Sequence, residues 1–269
     1  MTQLLQAIAV HAIALVAYPG FLAVIAFGIP IEIAWTAVIR RGTVLPNVRL
    51  QRPPSVQVVV AVLAILAAVQ VSAPFNAMPL PERNLIIAAA AIGFTAWSEL
   101  ALEPALVAQP GLLVVIQSCW LLAVLGPAVE PQSLRPQVLG NVLVPALLPV
   151  KIACGFLYLL CLPALLRLWP VAAPADRRAR PRFNATRALV WFPYCALFTT
   201  LFFPPAPDDA IGVLRFFGIT IAVAAGCMLG GSLLARRGAD RARGLYSRAV
   251  PPYALLVLML IAGTVILAR

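Results

Sequence analysis

Two carboxylates stand four residues apart in an apolar stretch, at Glu99 and Glu103. Residues with this spacing share one face of a helix. Two carboxylates in a poorly solvated helix bundle repel each other, so we expect at least one of them to hold a proton near neutral pH. The pair therefore predicts a step in a proton path. The alternative is that Glu103, which precedes Pro104, lies in water at the cytoplasmic end of its helix.

Lys151 also falls in an apolar stretch, and it is the single lysine of the sequence. A buried ammonium group needs a partner, and Glu99 and Glu103 are the natural candidates. We therefore predict that these three residues form one buried polar cluster between two helices. The alternative is a lysine whose ammonium group extends to the outer boundary of the membrane.

Glu32 completes the predicted proton path, because a charge inside an apolar stretch is costly and is often functional. It lies shortly before Arg40 and Arg41. A surface ion pair with those arginines is therefore an interpretation of equal weight. The proton-path candidates predicted from the sequence are Glu32, Glu99, Glu103 and Lys151.

The sequence lacks the motifs of common catalytic and metal sites. It contains no GxSxG, HExxH or P-loop pattern, and its single histidine excludes histidine-rich haem or metal sites. The five cysteines form no CxxC pair and are typical of small buried apolar residues. We therefore predict no catalytic residue and no metal site in this chain.

The composition indicates which elements hold these residues. Of 269 residues, 62% are hydrophobic and 11% are charged, whereas about 25% are charged in an average soluble domain. This composition excludes a soluble enzyme, a disordered tail and a nucleic-acid-binding domain. Apolar stretches of about 20 residues, the length of a membrane-spanning helix, recur without the alternation of barrel strands. The sequence predicts an all-α fold, with a single transmembrane helical domain over residues 1–269.

Eight apolar stretches define the predicted transmembrane spans. They cover residues 4–39, 55–75, 84–107, 111–129, 138–169, 188–203, 211–235 and 253–268. The first stretch is too long for one straight crossing. We therefore expect a bend at Pro19-Gly20 or at Pro30, or an end that lies along the interface.

The arginines predict the orientation of the bundle. The net charge is +11, and fifteen of the nineteen arginines fall in three loops, at residues 40–52, 167–187 and 236–248. Because cytoplasmic loops are enriched in Arg and Lys, these loops are predicted to be cytoplasmic and both termini to lie outside. The predicted localisation is the inner (cytoplasmic) membrane of a bacterial-type cell, as a multi-pass protein.

Several short motifs occur in an order that is found in a known family: a basic first loop, a lysine-bearing helix, an arginine-rich loop and a tryptophan-containing helix. They are Arg40-Arg41-Gly42, Pro46-Asn47, Leu50-Gln51, Lys151, Pro181-Arg182-Phe183 and Trp191. This order resembles the subunit 1 family of respiratory complex I and its relatives, the membrane-anchor subunits of membrane-bound hydrogenases. The stretch from Ser98-Glu99-Leu100 to Glu103-Pro104 is similar to a segment of the hydrogenase relatives. Two spans follow the arginine-rich loop here, where the family usually has one.

The resemblance implies a non-catalytic membrane subunit of an oxidoreductase of the NADH–quinone or hydrogenase type. Such a subunit anchors a cytoplasmic redox arm and contributes to proton translocation. Its partners are other membrane and cytoplasmic subunits and the lipid bilayer, with no nucleic acid. It binds no cofactor itself, and a quinone lies at the subunit interface. The candidates for partner docking are Arg40, Arg41, Arg177, Arg178, Arg180 and Arg182.

Two other functions are compatible with the same residues. In the first, the chain is a stand-alone polytopic enzyme or transporter that acts on a lipid-linked substrate, and its cytoplasmic arginines bind the phosphate of that substrate. Alternatively it is a scaffold subunit, in which the polar residues only hold helices together.

Overall fold

The computed structural model describes residues 2–39, 55–102, 110–129, 131–141, 147–168 and 183–267. Within these ranges the chain forms helices and no strand. The prediction of an all-α fold is therefore confirmed.

The described residues form eleven α-helices. These are α1 (Thr2–Val16), α2 (Phe21–Ile33), α3 (Ser55–Gln70), α4 (Leu85–Leu102), α5 (Pro110–Leu125), α6 (Pro136–Leu139), α7 (Leu148–Leu165), α8 (Ala185–Phe202), α9 (Ala210–Arg237), α10 (Ala239–Arg248) and α11 (Val250–Leu267). A π-helical segment, Ala34–Ile39, continues α2.

Five helical stretches within the described ranges are long and apolar enough to cross a membrane. They are Ile8–Ile39, Pro110–Ala128, Leu148–Leu165, Ala210–Arg237 and Asp240–Ile266. Shorter apolar helices cover Ser55–Gln70 and Leu85–Ser98. Each of the eight predicted spans contains an α-helix, so the chain is a helical membrane bundle.

The first predicted span is broken, as its length indicated. Helix α1 ends before Pro19-Gly20, and α2 begins directly after them. At Gly20 the backbone N–H donates to the Ala14 carbonyl at 2.9 Å, and a Cβ would lie 2.1 Å from the Leu15 carbonyl oxygen. Only glycine permits this close return of the chain.

Helix α8 forms the centre of the bundle. It packs against α2, α3, α4, α6, α7 and α9, and nearly all of its side chains from Ala188 to Leu201 are buried. Because protein rather than lipid surrounds it, its polar side chains find partners: the hydroxyl groups of Thr199 and Thr220 on α9 lie 3.0 Å apart. Hydrogen bonds of this kind hold membrane helices together.

Polar contacts join three loops at one end of the bundle, which we call the loop end (residues 71–84, 131–141 and 203–209). The backbone N–H of Leu85 donates to the Leu134 carbonyl at 2.8 Å, and that of Phe75 donates to Asp208 at 2.7 Å. Arg83 is buried here and donates to backbone carbonyls of the same loop. Burial lowers the pKa of its guanidinium group, and the nearby Asp208 opposes that shift.

Candidate functional site

Glu32, near the end of α2, is fully buried, with 0% of its surface exposed. Its carboxylate accepts five hydrogen bonds from described residues. Arg187 donates two of them, from Nε to Oε2 at 2.7 Å and from Nη2 to Oε1 at 2.5 Å. Trp191 Nε1 donates to Oε2, and Thr36 Oγ1 and the backbone N–H of Asn184 donate to Oε1, each at 3.1 Å. We call these five residues the Glu32 network.

The close packing of α2 against α8 brings this network together. A Cβ at Gly28 would come within 1.8 Å of the Ala188 carbonyl oxygen, so the two backbones meet only because residue 28 is glycine. Asn184 caps α8, because its side chain accepts from the backbone N–H of Arg187 at 3.1 Å. Arg187 and Trp191, four residues apart, then share the helix face that meets α2.

The geometry is that of a bidentate arginine–carboxylate pair, which is both strong and directional. Removing one partner of a buried pair costs about 3–5 kcal/mol, because the other charge is left without compensation. Both carboxylate oxygens of Glu32 are engaged by Arg187. Proton uptake by Glu32 therefore requires that Arg187 moves away from at least one oxygen.

A small cavity lies beside Arg187. Its volume is about 20 Å³, and its lining includes Thr95 on α4, Leu165 on α7 and Asn184. A polar cavity of at least about 10–15 Å³ is large enough for one water molecule. The cavity thus connects the Glu32 network with α4, the helix that contains Glu99.

Lys151 is buried at the loop end, with 5% of its surface exposed. Its ammonium group donates to three backbone carbonyls, those of Leu139 at 2.8 Å, Gly140 at 2.7 Å and Asn141 at 2.9 Å. These carbonyls follow or end the short helix α6. Lys151 therefore holds the end of α6 against the start of α7.

The backbone places Lys151 and Glu99 at opposite ends of the bundle. Thr95, one turn before Glu99, lines a cavity with Leu165 and Arg187, whereas Lys151 lies fourteen residues before Leu165 on α7, or about 21 Å along a helix. The side chain of Glu99 and all of Glu103 lie outside the described residues. Their place in a proton path stays a prediction, but a direct contact of Lys151 with Glu99 does not fit this backbone.

The predicted docking arginines lie outside the described residues; they are Arg40, Arg41, Arg177, Arg178, Arg180 and Arg182. The partner of Glu32 within the described ranges is Arg187, which in the sequence stands out only as one of the charges of an arginine-rich loop. A local signal existed: Asn184 stands three residues before Arg187, at the start of an apolar run, as a capping residue does.

No family model and no curated protein matches the sequence. The fold is similar to that of a chain in the solved structure of the membrane-bound sulfane sulfur reductase (MBS), an archaeal respiratory membrane complex. The TM-score is 0.59 at 15% sequence identity, and the match covers 89% of this chain and 97% of that chain. At this identity the likeness concerns the fold. The chain is a multi-pass helical membrane bundle whose fold, over nearly its whole length, also occurs in that complex.

Proposed function

We propose that this chain is a membrane subunit of a respiratory assembly, in which it anchors a redox arm and contributes to proton translocation. The observation that carries the proposal is the fold likeness to a chain of an archaeal respiratory membrane complex, which extends over 89% of this chain and 97% of that one. A fold can host several functions, so the site has to supply the chemistry.

The Glu32 network is the proposed site of proton transfer. Buried ionisable groups in membrane helices commonly mark proton relays, and Glu32 is fully buried. Two members of its network, Asn184 and Arg187, line a cavity that can hold one water molecule. In the proposed step, Arg187 moves away from one carboxylate oxygen and a water molecule delivers a proton to that oxygen. In the proposed path the proton then passes to Glu99, which lies further along α4, and to Glu103, four residues later in the sequence.

The arginine end of the bundle, where α2 ends and α8 begins, is the proposed docking surface for the redox arm. The described arginines at the end of α9 and along α10 are exposed: Arg236, Arg237, Arg241, Arg243 and Arg248. A concentration of one sign of charge steers a partner of opposite charge. We propose an acidic surface of a cytoplasmic subunit as that partner, and a quinone between the subunits rather than a cofactor held by this chain.

The variant Glu32→Gln tests the proton step. The amide keeps the size of the side chain but cannot alternate between charged and neutral forms. We expect proton uptake by inverted membrane vesicles, driven by NADH or by hydrogen, to fall by about ten-fold or more, since loss of a positioned proton-transfer group costs about 10²–10⁴-fold. A pH-sensitive dye measures the uptake, and a native gel checks that the assembly remains intact.

Glu82→Gln is the matched control, because Glu82 is a partly exposed carboxylate at the loop end that pairs with His11 at 2.5 Å. It should leave proton uptake unchanged. Wild-type uptake by the Glu32→Gln assembly would contradict the proton step. A single chain that purifies alone and acts on a lipid-linked substrate would contradict the whole proposal and favour a stand-alone enzyme.

A further inference from the structure

Helices α7, α9 and α10 enclose an apolar groove at the arginine end of the bundle, which we call the α7–α9 groove. Its volume is about 620 Å³, within the range of pockets that hold a ligand. Leu160 and Pro163 near the end of α7 line one wall, and residues of α9 between 219 and 237 line the other. Tyr246 on α10 also lines the groove, and its hydroxyl donates to the Leu160 carbonyl at 2.8 Å. This contact holds α10 against the end of α7.

Two glycines, Gly226 and Gly230, lower the α9 wall of the groove. A Cβ at Gly226 would meet no atom of the described residues within 4 Å, and one at Gly230 would lie 3.7 Å from Pro163 Cγ, an ordinary van der Waals distance. Close packing of α9 against α7 therefore does not require these glycines. Their effect is an open recess between the two helices.

The part of the groove that ends at the arginines has the length of one lipid leaflet. From Gly226 to Arg237, α9 advances eleven residues, or about 16 Å along a helix. The hydrocarbon core of a bilayer is about 30 Å thick, so one leaflet contributes about 15 Å. The recess therefore fits an acyl chain that enters from the arginine end.

Arginines stand where the headgroup of such a lipid lies. Arg237, the last residue of α9, lines the groove itself. Arg241 stands one turn before Leu245, which also lines the groove, and so lies on the same face of α10. Both arginines are exposed and form no ion pair with a described residue, whereas Arg243 pairs with Asp240 at 3.6 Å. A guanidinium group binds phosphate through two parallel hydrogen bonds.

The charge at the end of the groove indicates which lipid it receives. A zwitterionic headgroup has no net charge to offset two guanidinium groups, whereas an anionic headgroup does. Basic pockets between membrane helices on the cytoplasmic side recognise anionic lipids in this way, and the arginine end is the end that is predicted to be cytoplasmic.

We propose that the α7–α9 groove binds one anionic phospholipid, with an acyl chain between α7 and α9 and the phosphate at Arg237 and Arg241. The inference does not depend on the proposed function. It assigns these two arginines to a lipid and leaves Arg243 to the docking surface, because residues two apart on a helix do not share a face.

Lipid binding to the purified full-length chain in detergent, after removal of its lipids, tests the role of the headgroup. Native mass spectrometry measures the affinity for phosphatidylglycerol and for phosphatidylcholine with the same acyl chains. We expect one phosphatidylglycerol to bind about ten-fold more tightly or better, since two arginines attract it. Arg237→Gln and Arg241→Gln should each weaken its binding by about five-fold. Arg243→Gln is the matched control and should change neither affinity, and equal affinities of the wild type for both lipids would overturn the proposal.

Gly226→Leu tests whether the acyl chain occupies the recess. The new side chain fills the groove from a position whose Cβ meets no described atom, so the unfolding temperature without lipid should not fall. The affinity for phosphatidylglycerol should fall by about ten-fold or more, because the acyl chain loses its buried contacts. Gly218→Leu on α9 is the control, since its Cβ is equally free but lies outside the groove. Unchanged affinity in Gly226→Leu would mean that surface arginines alone bind the headgroup, and the proposal would be wrong.

Photo-cross-linking in native membranes distinguishes a lipid from a partner helix. The photoreactive residue benzoylphenylalanine replaces Leu233, which is 55% exposed in the groove, and separately Phe156 on α7, which is 60% exposed outside it. Adducts at Leu233 should be several-fold richer in anionic phospholipid than those at Phe156. Adducts mainly with a membrane-spanning peptide, or the same lipid composition at both positions, would overturn the inference. Co-purification with respiratory subunits is a separate measurement, so the proposed function stands or fails independently.

Discussion

Glu32 and Lys151 are both buried charges, but different groups satisfy them. Glu32 is held mainly by side chains, above all by Arg187, whose long flexible stem lets the guanidinium group move. Lys151 is held by three backbone carbonyls at the end of α6, which move only if that segment unfolds. A movable partner suits a group that changes its charge, and a fixed partner suits a permanent structural contact.

Lys151→Met should therefore act on stability. The variant leaves three carbonyls without their donor, and a buried unsatisfied group costs about 1–3 kcal/mol. We expect a clear fall in the free energy of unfolding, measured by thermal unfolding in detergent. Arg215→Met is the matched control: Arg215 donates to the Pro204 and Pro205 carbonyls at the same end but is exposed, so water replaces it. If Lys151→Met instead abolishes proton uptake and leaves the free energy of unfolding unchanged, Lys151 acts in the proton path and the structural role is wrong.

At the scale of helices, the contact of α2 with α8 decides whether the Glu32 network can form. The contact depends on Gly28, because any Cβ there meets the Ala188 carbonyl oxygen rather than a side chain that could rotate away. Helix α8 is itself fixed by six neighbouring helices. A larger residue 28 must therefore move α2 and, with it, Glu32.

Gly28→Ala should consequently destabilise the chain even though alanine is the better helix former. Overpacking typically costs about 1–3 kcal/mol, and separation of α2 from α8 adds the loss of the Glu32 pair. Gly218→Ala on α9 is the control, since a Cβ there meets nothing within 4 Å; helix propensity should make it neutral or stabilising by up to about 1 kcal/mol. Equal unfolding temperatures for the two variants would show that α2 tolerates displacement from α8.

The sequence predicts helices well and their pairing poorly, for a physical reason. Apolar stretches report which segments partition into lipid, so a helix within each of the eight predicted stretches and a break in the first of them could be predicted. Five helical stretches among the described residues are long and apolar enough to cross a membrane. The pairing of Glu32 with Arg187, 155 residues away, depends on which helices pack together, and composition does not encode that. For the same reason, the sequence predicts a contact of Lys151 with Glu99 that does not fit the backbone. Backbone carbonyls near Lys151 serve as its partners instead.

At the scale of the whole molecule, the two ends of the bundle carry different polar groups. The loop end contains Glu82, Asp208 and Asp209, and the other end contains most of the described arginines. By the distribution of arginine, the loop end is predicted to face the outside of the cell. The five cysteines are all buried, so an introduced surface cysteine can report which side it occupies.

Leu80→Cys at the loop end and Ser247→Cys on α10 test this orientation, because both residues are exposed. In spheroplasts, whose inner membrane is intact, a membrane-impermeant maleimide should label Leu80→Cys directly. It should label Ser247→Cys only after the membrane is permeabilised. Labelling of both on the same side would contradict the two-ended arrangement, and the reverse pattern would invert the predicted topology.

The distance in sequence between Glu32 and its partners has a consequence for synthesis of the chain. Arg187 and Trp191 follow Glu32 by 155 and 159 residues. At about 5–20 residues per second, a ribosome needs roughly 8–30 seconds to make that length. During this interval α2 holds a carboxylate whose compensating charge does not yet exist. The nascent α2 therefore reaches the membrane without its ion-pair partner, and insertion machinery that holds α2 until α8 arrives avoids exposing this carboxylate to lipid.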